Sequence, residues 1–352
     1  MRKKVTIQDI ADALGMSRNT VSKAINNSDG IADSTREMIL QKAAEMGYKQ
    51  FSYLRVANSV LSSLPAPAEA GRGAAEIALF TTMFLPNSHF ASLMLDKLQQ
   101  DLSLLGYTMN THRITPQNLD GRTLPVTFRP ERTAAILCVE LFDRPYAEMV
   151  CGLGVPVLFV DGPAKLRGGS LPADQLYMEN TAELTRFVRD MLDLGVRQIG
   201  FIGDYEHCQS FYERYTAFRC AMLMAGVPVD ERHIVKAVSR GEIADRLRGL
   251  DELPELFLCA NDFVAVDTLH ILNGMGRSVP EDVALCGFDD APESRRITPR
   301  LTTVHIHTQS MAFSAVQLLV TRLREPSLDF RTVYTETELI YRESTKAPKQ
   351  VQ

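Results

Sequence analysis

Residues 5–48 confine this chain more tightly than any other stretch. In VTIQDIADALG, Thr6 stands where a helix would be capped, and Ile7, Ile10, Ala11 and Leu14 recur at the spacing of one apolar helical stripe. Gly15 permits the left-handed backbone of a tight exit. Ser17 can cap a second helix whose apolar face is Val21, Ala24 and Ile25. A third helix is predicted to open at Asp33–Ser34, to bury Ile39, Ala43 and Met46, and to stop at Gly47. Two short helices joined by a glycine turn, with long polar side chains opening the second, fit a helix-turn-helix whose second helix enters the major groove of DNA. That helix turns Arg18, Asn19, Ser22 and Lys23 outward. Arginine can hold guanine through two acceptors, asparagine can pair twice with adenine, and lysine can reach guanine or phosphate. Ser17, Ser22 and Asn26 are short donors suited to phosphate oxygens, which set register rather than sequence. A three-helix bundle with a merely solvated face would explain the stripe but not the cap–glycine–cap spacing.

The stretch from Val5 to Tyr48 resembles the headpiece of the lactose/galactose repressor family of bacterial transcriptional regulators, through its VTI, TVS, TR and GY elements. One departure is Ala32, where that family usually has a serine cap for the third helix. The resemblance implies a double-stranded DNA operator read by a homodimer. It implies a DNA-facing set of Thr6, Ser17, Arg18, Asn19, Ser22, Lys23, Asn26, Tyr48 and Arg55.

The formal charge of -5 is at odds with DNA binding until it is divided. Residues 1–55 carry nine basic against six acidic side chains, a net of +3, which leaves −8 on the remainder. The basic patch is local, and the acidic body should be repelled from a duplex. At 352 residues the chain has room for a small headpiece and a large body with its own core. Its basic start, Met-Arg-Lys-Lys, is followed by no apolar run, so no secretory signal and no membrane association are expected. Six scattered cysteines without a CxxC pair, several inside apolar strands, suggest reduced core thiols of a cytoplasmic protein.

Residues 49–75 are expected to form a hinge helix and linker. The resembling family has a short helix here whose leucine wedges into the minor groove. This chain keeps Tyr48 and Arg55 but has Gln50, Phe51, Leu54 and Ala57 at the proline, asparagine, alanine and leucine positions. Tyr53, Ala57, Val60 and Leu64 recur instead at coiled-coil-like spacing, a seam along which two hinge helices could pair.

From Glu76 the pattern changes to short apolar runs alternating with amphipathic helices. EIALFTT, YTMNTHRI, AAILCVEL and VPVLFVD form one series of strands, and QIGFIGD, HIVKAV, ELFLCAN and VALCGFDD a second. Such alternation predicts an α/β body with parallel sheets covered on both faces. A break near 163–175 suggests two lobes, one over about 76–161 plus 304–333 and another over about 164–302 plus 335–346, with the chain crossing near 161–164, near 303 and again before TETELIYREST. The expected architecture is an all-α headpiece, 1–48, followed by a two-lobed body, 76–346, like a periplasmic binding protein.

In parallel sheets ligands sit beyond the carboxyl ends of the strands. Those ends carry Asp161, Asn261, Asp262, Asp289 and Asp290; Arg214 follows QIGFIGD, and His89–Phe90 open the first long helix. Carboxylates, an amide and an arginine around an aromatic ring suit a molecule with many neutral hydroxyls. The family resemblance extends over the body through NSHFASL, YMEN, LGVRQIGFIGD, RYTAF, CANDFVAVDTL, VALCGFDDAPESRRITPRLTTV and YREST. It implies that Arg214 and Asp289 bind effector hydroxyls or a ring nitrogen, that His89 and Phe90 line the cleft, and that Asp161, Ser210 and Asn261 make secondary contacts. Departures at His89, Glu179 and Ile306 bear on which ligand fits.

No GxSxG turn, HExxH, P-loop or strand-borne GxGxxG is present, so neither an enzyme nor a cofactor is expected. His305 and His307 alternate along a predicted strand but have no third metal ligand near in sequence, so no metal is expected. The sequence therefore predicts a repressor-like regulator whose operator affinity is set by a small molecule, a sugar, held between the lobes. Two alternatives share parts of this pattern. A relative controlled by a protein partner would keep the fold without a ligand, and a solute-binding transport subunit would share the two-lobed body but have no use for the headpiece.

Overall fold

The computed structural model describes residues 5–25, 31–46, 48, 76–82, 89–237 and 239–348. Its amino-terminal part contains α1 (Ile7–Leu14), α2 (Arg18–Ile25) and α3 (Asp33–Glu45). Thr6 caps α1 reciprocally: its hydroxyl accepts from the Asp9 amide at 3.2 Å, and the Asp9 carboxylate accepts from the Thr6 amide at 2.7 Å. Gly15 leaves the helix at φ 63°, a conformation costly for residues with a Cβ. The Ser17 hydroxyl then accepts from the Thr20 amide at 3.0 Å and starts α2. Ile10, Ala11, Val21, Ala24, Ile25, Ile39 and Ala43 form the buried centre of the three helices, with Ile7, Leu14, Met46 and Tyr48 packed at its edge. The expected end at Gly47 and the whole hinge seam lie outside the described residues.

The body opens with β1 (Glu76–Thr81), α4 (His89–Leu104), β2 (Thr108–Arg113), α5 (Pro116–Gly121), β3 (Thr133–Val139), α6 (Arg144–Cys151), β4 (Val157–Val160) and β5 (Asp174–Met178). Next come α7 (Ala182–Asp193), β6 (Ile199–Ile202), α8 (Gln209–Met224), β7 (Ile234–Val235), α9 (Arg240–Arg248), β8 (Leu256–Cys259), α10 (Asp262–Gly274) and β9 (Ala284–Cys286). The chain ends with β10 (Thr303–Ile306), α11 (Thr308–Arg324), β11 (Thr332–Thr335) and β12 (Thr337–Ile340). A first sheet runs in the order β11-β5-β4-β3-β1-β2 and a second in the order β7-β6-β8-β9, both parallel throughout, while β10 and β12 form an antiparallel ribbon.

The apolar strand runs are buried on both faces, as parallel sheets require: every residue of β3, β4, β6 and β8 is buried. Met94, Leu98 and Leu102 of α4, and Met311, Ala315, Leu318 and Leu319 of α11, are buried in one core cluster together with the inner side chains of the first sheet. Leu184, Phe187, Val188 and Met191 of α7 and Phe218 and Met222 of α8 are buried as their periodicity predicts. Cys138, Cys208, Cys259 and Cys286 are buried free thiols, Cys151 is half-buried and Cys220 is exposed.

The expected division into two groups of four strands does not hold. β5, placed by sequence beyond a lobe boundary at 164, pairs with β4 in the first sheet, Leu158 opposite Asp174. Its signal is weak because it opens on a charged residue and carries Gln175. Asp174 is buried by virtue of a partner far along the chain, Arg322, whose Nε and Nη2 donate to its two oxygens at 2.9 and 3.1 Å. Gln175 is buried because its side-chain oxygen accepts from the Tyr177 hydroxyl at 2.9 Å.

The first crossing between sheets therefore lies at 179–181, between β5 and α7, not at 161–164. Isolated bridges Cys286–Thr302 and Asp289–His305 lay β10 beside the end of β9, so the return to the first sheet comes at His307, where α11 begins. The third crossing is Glu336, between β11 and β12.

Candidate effector cleft and DNA-facing helix

On α2, Arg18, Asn19 and Lys23 are exposed and Ser22 is half-buried, while Val21, Ala24 and Ile25 face inward. Thr6 and Ser17, read from sequence as DNA-facing, also cap α1 and α2. Tyr48 donates its amide to Ala43 O at 2.9 Å and packs on the headpiece core. Burial, and then Glu338, push its phenol up to about 12, with Arg18 opposing. Asn26 and Arg55 lie outside the described residues.

A second constellation gathers at the carboxyl ends of the parallel strands. Asp161 follows β4 and has φ 51°; Asp289 follows β9 at φ 113°. Such backbone positions cost about 1–3 kcal/mol and concentrate at functional sites. The Ser210 hydroxyl of α8 donates to Asp161 Oδ1 at 2.8 Å, joining the second sheet's helix to the first sheet's strand end. One turn on, Arg214 is 2% exposed. Its Nε donates to Asn180 Oδ1 at 2.9 Å and its Nη1 to Ala260 O at 2.7 Å, and Nη1 lies 3.6 Å from Asp289. The guanidinium carbon stands 3.6 Å from the centre of the Phe288 ring, a cation–π contact.

The structure thus brings Asp161, Ser210, Arg214 and Asp289 into one network. The Asn261 side-chain oxygen instead accepts from the Val264 amide at 3.0 Å and caps α10, because a helix start follows β8 directly; the backbone oxygen of Ala260 meets Arg214. The side chains of His89 and Phe90 fall outside the described residues.

The adjacent acids at 289 and 290 are sorted by their surroundings. Asp290 accepts from Arg295 Nε at 3.1 Å and from Arg342, and His305 Nδ1 lies 3.0 Å away; these partners hold its carboxyl well below the ordinary range despite burial. It is a structural knot. Asp289 keeps 17% of its side chain exposed, and burial pushes it up to about 7 while Arg214 opposes. Burial likewise raises Asp161 to about 6, against the Ser210 hydrogen bond and Arg214. Asn180 and Glu213 were missed as site residues by the sequence reading. The YMEN match pointed at the first, whereas nothing local marks the second.

The sequence profile for bacterial regulatory proteins of the lacI family matches residues 6–50, and that of the periplasmic binding protein-like domain matches residues 188–345. The chain belongs to the lacI family. It is similar to the HTH-type transcriptional regulator CelR of Thermobifida fusca, 26% identical over 362 residues covering 97% of this chain and 99% of that protein. Among solved structures, a CelR–cellobiose complex aligns with a TM-score of 0.66 at 23% identity, covering 97% of this chain and 100% of the other. The lac repressor dimer bound to operator and the anti-inducer ONPF also gives 0.66, at 20% identity, covering 98% and 100%. The lacI-family relatives are transcriptional regulators rather than enzymes, and this chain is a regulator of the same family. No helix among the described residues is long and apolar enough to cross a membrane.

Proposed function

We propose that this lacI-family regulator is a repressor that binds a palindromic operator as a dimer through the exposed face of α2, and that a neutral, hydroxyl-rich small molecule, a sugar, sets its operator affinity. The observation that carries the reading is the network spanning both sheets: Asp161 at the end of β4 bonded to Ser210 of α8, with Arg214 one turn along that helix and Asp289 beside it. A ligand held by that network would touch both lobes and so bias the angle between them. Asp161, Asp289 and the nearby Glu213 outnumber Arg214, which favours a neutral ligand over a phosphate or carboxylate. A thermal-shift screen of sugars, sugar phosphates and nucleobases tests the reading. A true effector at a hundred times its Kd should add about 2.7 kcal/mol to stability. A protein that no small molecule stabilises would instead be one controlled by a protein partner.

Reading of DNA is checked at Arg18. Arg18→Ala should weaken binding to the preferred site by about 1–3 kcal/mol and relax sequence preference, while affinity for random duplex changes little. Equal losses on both duplexes would assign Arg18 to phosphate alone.

The raised carboxyls of Asp161, Asp289 and the buried Asp262 give the body a characteristic pH response. A carboxyl whose midpoint is higher in the folded than in the unfolded chain stabilises the fold at low pH, and that contribution is lost as pH rises through its folded value. With Asp161 near 6 and Asp289 near 7, both above an ordinary 3.8, stability should decline between about pH 4 and pH 8. Asp289→Asn removes one titration, so its melting temperature should fall less steeply over that interval. Parallel profiles for wild type and variant would count against a raised Asp289.

A further inference from the structure

Helix α8 presents two adjacent rows of polar side chains. Ser210 and Arg214 reach the cleft residues, and Gln209 and Glu213 stand one position before each of them. This second row is tied to the first lobe at several points. The Gln209 amide donates to Gly162 O at 3.2 Å, and the Lys165 amide donates to Gln209 Oε1 at 2.7 Å. Gln209 Nε2 donates to Glu213 Oε1 at 2.9 Å, and the same oxygen accepts from the Tyr334 hydroxyl at 2.8 Å. Glu213 Oε2 accepts from Asn180 Nδ2 at 2.8 Å.

Two of these partners flank places where the chain crosses between lobes. Asn180 lies in the first crossing, and Tyr334, in β11, stands two residues before the third. Asn180 then links the two rows. Its Nδ2 faces an acceptor-only carboxylate and its Oδ1 a donor-only guanidinium, so a single orientation of the amide satisfies both. Burial and Glu213 raise the Tyr334 phenol, which keeps the donor protonated.

We propose that Glu213 is a positioning residue for the effector site: by holding Asn180 and Tyr334 at once, it fixes the Arg214 guanidinium and latches α8 to both crossings. The setting of Arg214 and the angle between the lobes then vary together, and a ligand that displaces one displaces the other. This rests on the effector-cleft reading above.

Two measurements on the full-length protein test it, and neither needs an effector. Hydrogen exchange follows the bridging amides of Lys165 and Gln209. Both Glu213→Gln and Tyr334→Phe should speed their exchange by about tenfold or more, the factor that about 1.4 kcal/mol represents. Tyr334→Phe removes one hydroxyl from a half-exposed ring, so it keeps the test readable if Glu213→Gln folds poorly. Carboxyl carbon-13 titration follows Asp161, which is faced by Arg214 and Glu213 on α8, Cys208 before it, Tyr177 on β5 and Asp289 after β9. Tyr334→Phe keeps the Glu213 charge, so in that variant a loosened Arg214 should raise the Asp161 midpoint, a change that loss of packing alone would not produce. Unchanged exchange in the variants, or an unmoved Asp161 midpoint, overturns the proposal. A sugar panel that stabilises nothing would instead count against the effector reading and leave these two results intact.

Discussion

Arg214→Ala is expected to abolish the effector response and to cost the body about 3–5 kcal/mol, the range for removing one member of a buried ion pair. The loss leaves Asn180 Oδ1 and Ala260 O without the donors that now meet them at 2.9 and 2.7 Å. It also strips Asp289 of its cation. The cost should fall at the low end, because Asp289, already raised to about 7, can take up a proton instead of remaining an uncompensated buried charge. Arg214→Lys restores the charge but cannot aim donors at Asn180 and Ala260 simultaneously, so it should recover stability more than ligand response. Operator binding should persist in both variants below their melting points, since α1, α2 and α3 have their own core. Moving operator occupancy from about 99% to 1% requires a ligand to prefer one state by roughly 5.5 kcal/mol. Loss of one charge-assisted contact is therefore enough to blunt the switch. Chemical denaturation, ligand titration and operator binding on the same samples decide the matter. An Arg214→Ala protein that releases operator as wild type does would place the effector elsewhere.

Gly287→Ala should be strongly destabilising to the second lobe. A Cβ there would collide with the Asp262 carboxylate and stand 2.8 Å from Leu301 Cδ2 and 3.3 Å from Asp262 Cα. Asp262 cannot yield easily. It is 1% exposed, and its carboxylate accepts from the Ala291 amide at 2.8 Å and from the Thr303 hydroxyl at 2.6 Å, which ties the segment after β9 to β10. Overpacking costs about 1–3 kcal/mol. Burial raises the Asp262 carboxyl well above the ordinary range, so each hydrogen bond forfeited by moving it adds about 0.5–1.5 kcal/mol rather than the larger value of a charged group. We expect a loss of about 2–6 kcal/mol from these combined causes, with Phe288 and Asp289 displaced as well. A wild-type denaturation midpoint for this variant would show that the segment can shift freely.

Much of this molecule is written locally. The headpiece follows from caps, a glycine exit and apolar stripes, all of which act within a few residues, and Thr6, Gly15 and Ser17 do in the structure what their spacing predicts. The strands β1, β3, β4, β6 and β8 are equally legible, because a strand buried on both faces must be an unbroken apolar run. Asp161, Ser210, Arg214 and Asp289 were reachable through the family resemblance, and the structure gathers them into one network.

What lay beyond the sequence depended on partners distant along the chain. β5 could be buried with an aspartate and a glutamine in it only because Arg322 answers Asp174 from 148 residues away. Two neighbouring aspartates took different roles because Arg295, Arg342 and His305 converge on Asp290 and leave Asp289 to Arg214. Glu213 looks in the sequence like any acid on an amphipathic helix. Its link to Asn180 and Tyr334 exists only once two crossings of the chain are laid against α8. Local spacing fixes which residues can form a helix or a strand, since those bonds close over four residues or one ladder. Which charges are paired, and hence which remain available to a ligand, is a property of three-dimensional neighbours and leaves no period to read.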